Sequence, residues 1–201
     1  MTNFWDERFD IEEYVFGEAP NAFLASMIDE VRRHSRALAV ADGEGRNGVW
    51  LAEQGLDVTS VDISAVGLAK ARKLADKRGV TVTTVQANLA EYAWPEQAFD
   101  LVVAIFIQFA DPPLRRAIFR GMERALIPGG VLILEGYRTE QLRFGTGGPR
   151  QVEKMYTREL LEEAFAGLDI LHLREYDAEL AEGGAHTGMS ALVDLMARKS
   201  T

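Results

Sequence analysis

Gly43-Glu44-Gly45-Arg46-Asn47-Gly48 carries the densest chemical signal in the chain, a G-x-G-x-x-G turn between an apolar run at 37–41 and a helical pattern through Val49, Trp50 and Leu51. Glycines at such a turn let backbone approach a ligand closely, and the helix that follows points N–H groups at it. Asp62 closes the next apolar run, 58–61. A carboxylate at the tip of a second strand accepts hydrogen bonds from ribose hydroxyls. The combination points to an adenosine-containing ligand, either a nicotinamide dinucleotide or an adenosyl donor. The competing reading is a tight strand-to-helix turn with no ligand, but a buried strand-end carboxylate then needs another partner.

The elements that must hold these residues alternate. Strand patterns at 37–41, 58–61, 80–85, 101–106 and 131–134 are separated by helical patterns. The latter include one capped by Ser64 and stopped by Gly79, and one at 113–126 with Leu114, Ile118, Met122 and Ala125 on one face. Alternation of this kind predicts βαβ units and a parallel sheet covered on both faces. Asn21 caps an earlier helix through Phe23, Leu24, Met27, Ile28 and Val31. The end of the chain breaks the rule. Strand patterns at 168–176 and 190–197 follow a helix at 157–165 and leave room only for a glycine-rich loop at 182–188, so they pair antiparallel. The expected fold is α/β, a single Rossmann-like doubly wound sheet, mostly parallel, with a C-terminal antiparallel hairpin. One domain spans 1–201, as an aromatic arm at 1–20 and a core at 21–201. Phe4, Trp5, Phe9, Tyr14 and Phe16 crowd the arm without helical or strand period; they form a lid over a pocket or pack on the core.

Composition narrows the function. The 22 Lys+Arg against 31 Asp+Glu give 22 − 31 = −9, which argues against a partner held by phosphate neutralisation, so no nucleic acid is expected. Cysteine is absent, which removes disulfides, thiolate metal sites and a Cys nucleophile. No metal-ligand spacing is present. No apolar run reaches the roughly 18 residues of a membrane span, and the start does not read as a secretory signal. A cytoplasmic protein without membrane partners, acting on a small molecule, is expected.

A nicotinamide-linked oxidoreductase needs a second nucleotide-binding half or a substrate domain; the length is too short for the latter, and the antiparallel strand pair at 168–197 stands where further βαβ units are expected. The whole chain instead resembles the class I S-adenosylmethionine-dependent methyltransferases. The residues that carry the resemblance are the Gly43/Gly45 turn, Asp62, Gln86-Ala87-Asn88-Leu89, Phe99-Asp100-Leu101-Val102-Val103, Pro128-Gly129-Gly130 and the terminal hairpin. Gly45-Arg46-Asn47 and the Trp5-Asp6-x-Arg8-Phe9 start are similar to the tellurite-resistance methyltransferases and, more distantly, to the thiopurine methyltransferases. The resemblance implies S-adenosylmethionine as cofactor and methyl transfer to a small-molecule acceptor, with a thiol or a chalcogen oxyanion-derived species as candidates; a nicotinamide-linked oxidoreductase and a non-catalytic nucleotide-binding module on the same fold are the alternatives. It places Gly43 and Gly45 under the methionine part of the donor, Asp62 on the ribose, Ile63 and Leu89 beside the adenine and Asn88 at its amino group, with Ile105 and Trp5 also on the donor. Arg46 points near the crevice and is a candidate for the methionine carboxylate. The chain departs from the family pattern at Ala39, where an acidic residue is usual, and at Ala41, where glycine is usual; Asp42 or Glu44 is the candidate replacement for the acid.

The acceptor side rests on fewer residues. Glu182, Gly183, His186 and Gly188 reproduce an E-G-x-x-H-x-G string of the group. His186 therefore lines the acceptor pocket or organises its loop by a hydrogen bond, and Glu182 orients it. Arg143 and Arg150 lie in the loop after the fifth strand. Such loops surround the crevice, so the two arginines bind an anionic acceptor or stay solvated. His172 sits in a strand pattern and reads as a partly buried structural residue.

Overall fold

The computed structural model describes residues 4–201, and the first three residues of the expected arm lie outside them. The strands are β1 (Arg36–Val40), β2 (Asp57–Asp62), β3 (Thr83–Gln86), β4 (Phe99–Ile105), β5 (Leu126–Tyr137), β6 (Leu168–Glu182) and β7 (His186–Lys199). The helices are α1 (Phe4–Phe9), α2 (Ala22–Ser26), α3 (Ile28–Val31), α4 (Arg46–Glu53), α5 (Ala65–Arg78), α6 (Pro112–Ala125) and α7 (Arg158–Ala164). One sheet runs β3-β2-β1-β4-β5-β7-β6. All neighbours through β5 pair in parallel, and β7 pairs antiparallel with both β5 and β6. The expected mostly parallel sheet with a terminal hairpin is the sheet observed. Leu38, Val102, Leu132 and Leu134 face one apolar layer with α6 and α7, and Ala37, Val58, Leu101 and Ile133 face the other with α4 and α5. Strand order reverses between β1 and β4, which opens a crevice at their carboxyl ends.

Several boundaries differ from expectation for local reasons. The helix expected from Asn21 to Val31 breaks at Met27, although the Asn21 side chain caps it by accepting from Leu24 N at 2.9 Å. β3 starts at Thr83 because Gly79, at φ +70°, ends α5 and Val80 N donates back to Ala75 O. β5 starts at Leu126, ahead of Pro128-Gly129-Gly130, and a register shift between Phe99 and Leu101 absorbs the turn. The hairpin is longer than expected. Its ladder continues to Glu182 opposite His186, so only Gly183, Gly184 and Ala185 turn, and His186 is a strand residue. The arm also has a period. Trp5 and Phe9, one helical turn apart in α1, stack at 5.6 Å between centroids. Among the described residues no helix is long and apolar enough to cross a membrane.

Candidate active site

A cavity of about 640 Å³ lies at the carboxyl ends of the central strands, under the aromatic arm. Backbone strain collects at its floor. Ala41 (φ +49°) follows β1 and Phe106 (φ +54°) follows β4, both in the left-handed region that costs a non-glycine residue roughly 1–3 kcal/mol. Ala41 stands where the methyltransferase pattern has glycine, so the turn keeps its shape against the side chain's preference.

One half of the cavity is lined by Trp5, Asp42, Gly43, Asp62, Ile63, Asn88, Leu89 and Ile105. Asp62 Oδ2 accepts from Gly43 N and Oδ1 from Ser64 N, each at 2.8 Å, which ties the tip of β2 to the glycine turn and leaves each oxygen a further lone pair. Burial raises its carboxyl above the ordinary range, opposed by those backbone N–H groups. Asn88 Oδ1 accepts from Ala90 N at 3.1 Å and likewise keeps a lone pair. Asp42 accepts from Ser60 Oγ at 2.8 Å and Gly48 N at 3.2 Å, and burial pushes it up to about 7. Gly48 is required here, because a Cβ would strike the Asp42 carboxylate. Glu44 serves elsewhere: it is buried in an ion pair with Lys70 at 2.5 Å and accepts from Phe16 N at 3.4 Å. Gly45 does not line the cavity. It starts α4 at φ +86°, and a Cβ there would sit 2.5 Å from Ala71 Cβ, so its role is close packing of the turn on α5.

Arg46 lines the cavity, but its Nη1 lies 2.8 Å from Glu182 Oε2 with both side chains buried. Glu182 also accepts from Asn21 Nδ2 at 3.1 Å and Ala22 N at 2.8 Å. Asn21 in turn donates to Glu135, whose carboxyl burial raises well above the usual range, with Asp194 and Glu182 adding to the rise. Glu182 therefore ties the hairpin to α2 and α4. No hydrogen bond from it to His186 is formed, which corrects its expected orienting role. Both residues point to one face of the hairpin, and the cationic partner next to Glu182 takes the carboxylate.

The other half of the cavity has aromatic walls. The His186 ring sits 4.5 Å from Phe16, 4.4 Å from Phe106 and 5.9 Å from Tyr137, centroid to centroid. Its Nδ1 is buried without a hydrogen-bond partner, and the buried Tyr137 hydroxyl has the Ser190 side chain as its hydrogen-bonding neighbour. Burial, with Arg46 and Arg8 nearby, pushes His186 down to about 3, so the imidazole is neutral. Gln108, which no sequence pattern flagged, holds Tyr137 from both sides: its Nε2 donates to Tyr137 O at 2.9 Å and its Oε1 accepts from Tyr137 N at 2.6 Å. Arg143 and Arg150 are exposed and outside the lining. Arg143 ends the turn at 139–143 and Arg150 follows Pro149, while Gly147, Gly148 and Pro149 line the cavity. The cavity's cations are instead Arg8, Arg46 and Lys154. His172, on β6, stacks on Phe23 at 5.6 Å, away from the cavity.

Residues 37–130, the glycine turn through the β5 turn, match the methyltransferase domain family. Glycine/sarcosine N-methyltransferase of Halorhodospira halochloris is 32% identical over 138 residues, covering 65% of this chain and 49% of that protein. The chain thus spans about half the length of this curated relative. TehB from Haemophilus influenzae superposes with a TM-score of 0.73 at 18% identity, over 90% of this chain and 62% of that one. N-methyltransferase NodS from Bradyrhizobium japonicum WM9, solved with S-adenosylhomocysteine, gives 0.71 at 15% identity over 98% and 97%. Strand order and hairpin are those of the class I S-adenosylmethionine-dependent methyltransferase fold, and the segment from β1 through the β5 turn matches the methyltransferase domain family. S-adenosylmethionine is the cofactor of that class, and the donor set fits it: buried Asp62 and half-buried Asp42, at the tips of adjacent strands, flank a turn of positive-φ glycines.

Proposed function

We propose that the chain transfers the methyl group of S-adenosylmethionine to a small-molecule acceptor with a soft attacking atom, a thiol sulfur or a reduced chalcogen. The supporting observation is the division of the cavity, with Asp42 and Asp62 at one end and an aromatic recess holding neutral His186, without a lining carboxylate, at the other. When bound, the donor supplies a methyl group already activated on a sulfonium. The chain's own work is then positioning and exclusion of water, which Phe16, Phe106 and α1 perform by walling the recess. The acceptor's lone pair forms the new bond to the methyl carbon as the old carbon–sulfur bond leaves its electron pair on the donor sulfur. An acceptor that carries a proton gives it up to solvent and reacts as the anion, while neutral, buried His186 walls the recess beside it. Incubating the protein with radiolabelled donor and separate thiol, selenite- or tellurite-derived, amine and carboxylate acceptors tests this. Label is expected in thiol or chalcogen products; label only in amine or carboxylate products overturns the soft-acceptor reading, and calorimetric binding of NAD in place of S-adenosylhomocysteine overturns the methyl-transfer reading.

Asp42 is the carboxylate we assign to the methionine ammonium in place of the acid missing at Ala39. Its raised pKa predicts two opposite effects. Donor binding needs the carboxylate, so affinity for S-adenosylhomocysteine should fall below about pH 7, by up to tenfold per pH unit. Folding favours the protonated carboxyl, so the stability it contributes is present at acid pH and lost as pH rises through about 7. Asp42→Asn should therefore weaken binding at pH 8, remove its pH dependence, and raise the melting temperature of the ligand-free protein. Calorimetry and thermal melts between pH 5.5 and 8.5 check all three.

His186 offers a second test. With its pKa pushed down to about 3, the imidazole is neutral across the physiological range, so turnover should show no step near pH 6.5 from this residue. His186→Gln should leave donor affinity unchanged and lower turnover by no more than about tenfold, since it removes a wall and one hydrogen-bonding contact rather than a base. A fall in rate as pH rises through 6.5, lost in the variant, would instead identify an imidazolium that binds an anion.

A further inference from the structure

Most cations around the cavity are neutralised: Arg46 by Glu182, Lys70 by Glu44, Arg138 by Asp177. Arg8 and Lys154 line the cavity without an ion pair among the described residues, in a chain of net charge −9. The Arg8 guanidinium lies over the rings of Trp5 and Phe16 at 5.9 and 5.6 Å, a placement that holds it while leaving its N–H edge available. Lys154 is half-buried, and its carbonyl accepts from Gln108 Nε2 at 3.3 Å, from the same side chain that clamps Tyr137. Phe16 touches His186, and His186 touches Tyr137. A continuous contact path thus runs from Arg8 through Phe16, His186, Tyr137 and Gln108 to Lys154, around one rim.

Facing the cavity between Arg8 and Lys154 is His186 Nδ1, without a hydrogen-bond partner on a residue only 9% exposed, beside the buried Tyr137 hydroxyl, which has the Ser190 side chain as a neighbour. A buried polar atom without a partner is rare in native proteins, and one facing this recess is explained by a ligand that bonds it. Burial raises Tyr137 far above the ordinary phenol, so it offers a proton and no negative charge. The acidic lining residues, Asp42 and Asp62, lie on the donor side.

We propose that Arg8 and Lys154 select an acceptor bearing a carboxylate or other oxyanion group, which they hold at the rim while its soft nucleophile reaches between Tyr137 and His186. This rests on the methyl-transfer reading and narrows the acceptor to small anionic thiols or their chalcogen counterparts. Charge-assisted contacts of this kind are worth a factor of about ten or more each in affinity.

The test is a calorimetric titration of mercaptoacetate and 2-mercaptoethanol, with and without saturating S-adenosylhomocysteine. These thiols differ in the carboxylate. Mercaptoacetate is expected to bind at least about tenfold more tightly, with most of that preference lost in Arg8→Met and in Lys154→Met and kept in Lys154→Arg. Affinity for S-adenosylhomocysteine should stay unchanged in Lys154→Met. Equal binding of the two thiols, no measurable binding of either, or a preference that survives in both Met variants overturns the proposal. Failure of S-adenosylhomocysteine to bind strikes the methyl-transfer reading instead, and the titrations without it still report the anion preference.

Discussion

Asp62→Ala is expected to lower affinity for S-adenosylhomocysteine by roughly a hundredfold or more. A hydrogen bond to a charged group contributes roughly 1.5–3 kcal/mol, and a ribose offers two hydroxyls to this carboxylate, so about 3 kcal/mol is the lower bound of the loss. The substitution also strips Gly43 N and Ser64 N of their acceptor, which loosens the turn that shapes the donor half. Asp62→Asn keeps one acceptor oxygen and the side-chain shape, so it should lose less. Calorimetry gives the affinities, and thermal melts separate a binding loss from an unfolded variant. Unchanged affinity in Asp62→Ala would remove the ribose contact from this reading.

Deleting residues 1–16 should cut donor affinity and turnover by a comparable or larger factor while shifting the melting temperature only modestly. The two main apolar layers are built from residues after the arm, with Tyr14 alone packed against their edge. The arm is fastened by its one fully buried ring, Phe9, and by polar contacts. Lys70 Nζ donates to the carbonyls of Phe9, Ile11 and Glu13 and pairs with Glu44, and Ser64 Oγ donates to Asp6 at 2.6 Å. The Phe9 ring seals the turn, where a Cβ on Gly43 would meet it at 3.1 Å and one on Gly67 at 2.9 Å. The far end of the arm packs on the hairpin tip: Ala185 N donates to Val15 O, and Gly183 meets the backbone of Phe16 and Gly17 too closely to carry a side chain. Removing this roof admits water to both halves of the cavity. Lys70→Met should give a milder version of the same defect. A truncated chain that fails to fold would show that the rings act as core.

Local chemistry was legible in the sequence. The parallel sheet followed from apolar runs alternating with helical stripes, because burial on both faces of a strand and one face of a helix leaves separate periods. The glycine turn and Asp62 stood out because their backbone geometry is made by residues close along the chain, and His186 stood out through a short string at the hairpin tip. The arm's helix escaped notice because one turn is too short for a period to register. Gln108 and Lys154 gave no signal, and Arg8 and Phe106 registered only within a start string and a strand pattern, since they come from a strand tip, the arm and a late loop, and each has its role only where those segments converge. Arg143 and Arg150 carried the right charge in the right loop, yet both are exposed to solvent outside the cavity lining. Arg46 and Glu182 faced the right crevice, yet they neutralise each other. Which charge meets a ligand and which meets a neighbour depends on contacts between segments far apart in the chain, because an apolar pattern constrains where a loop starts and ends but not where its polar side chains point.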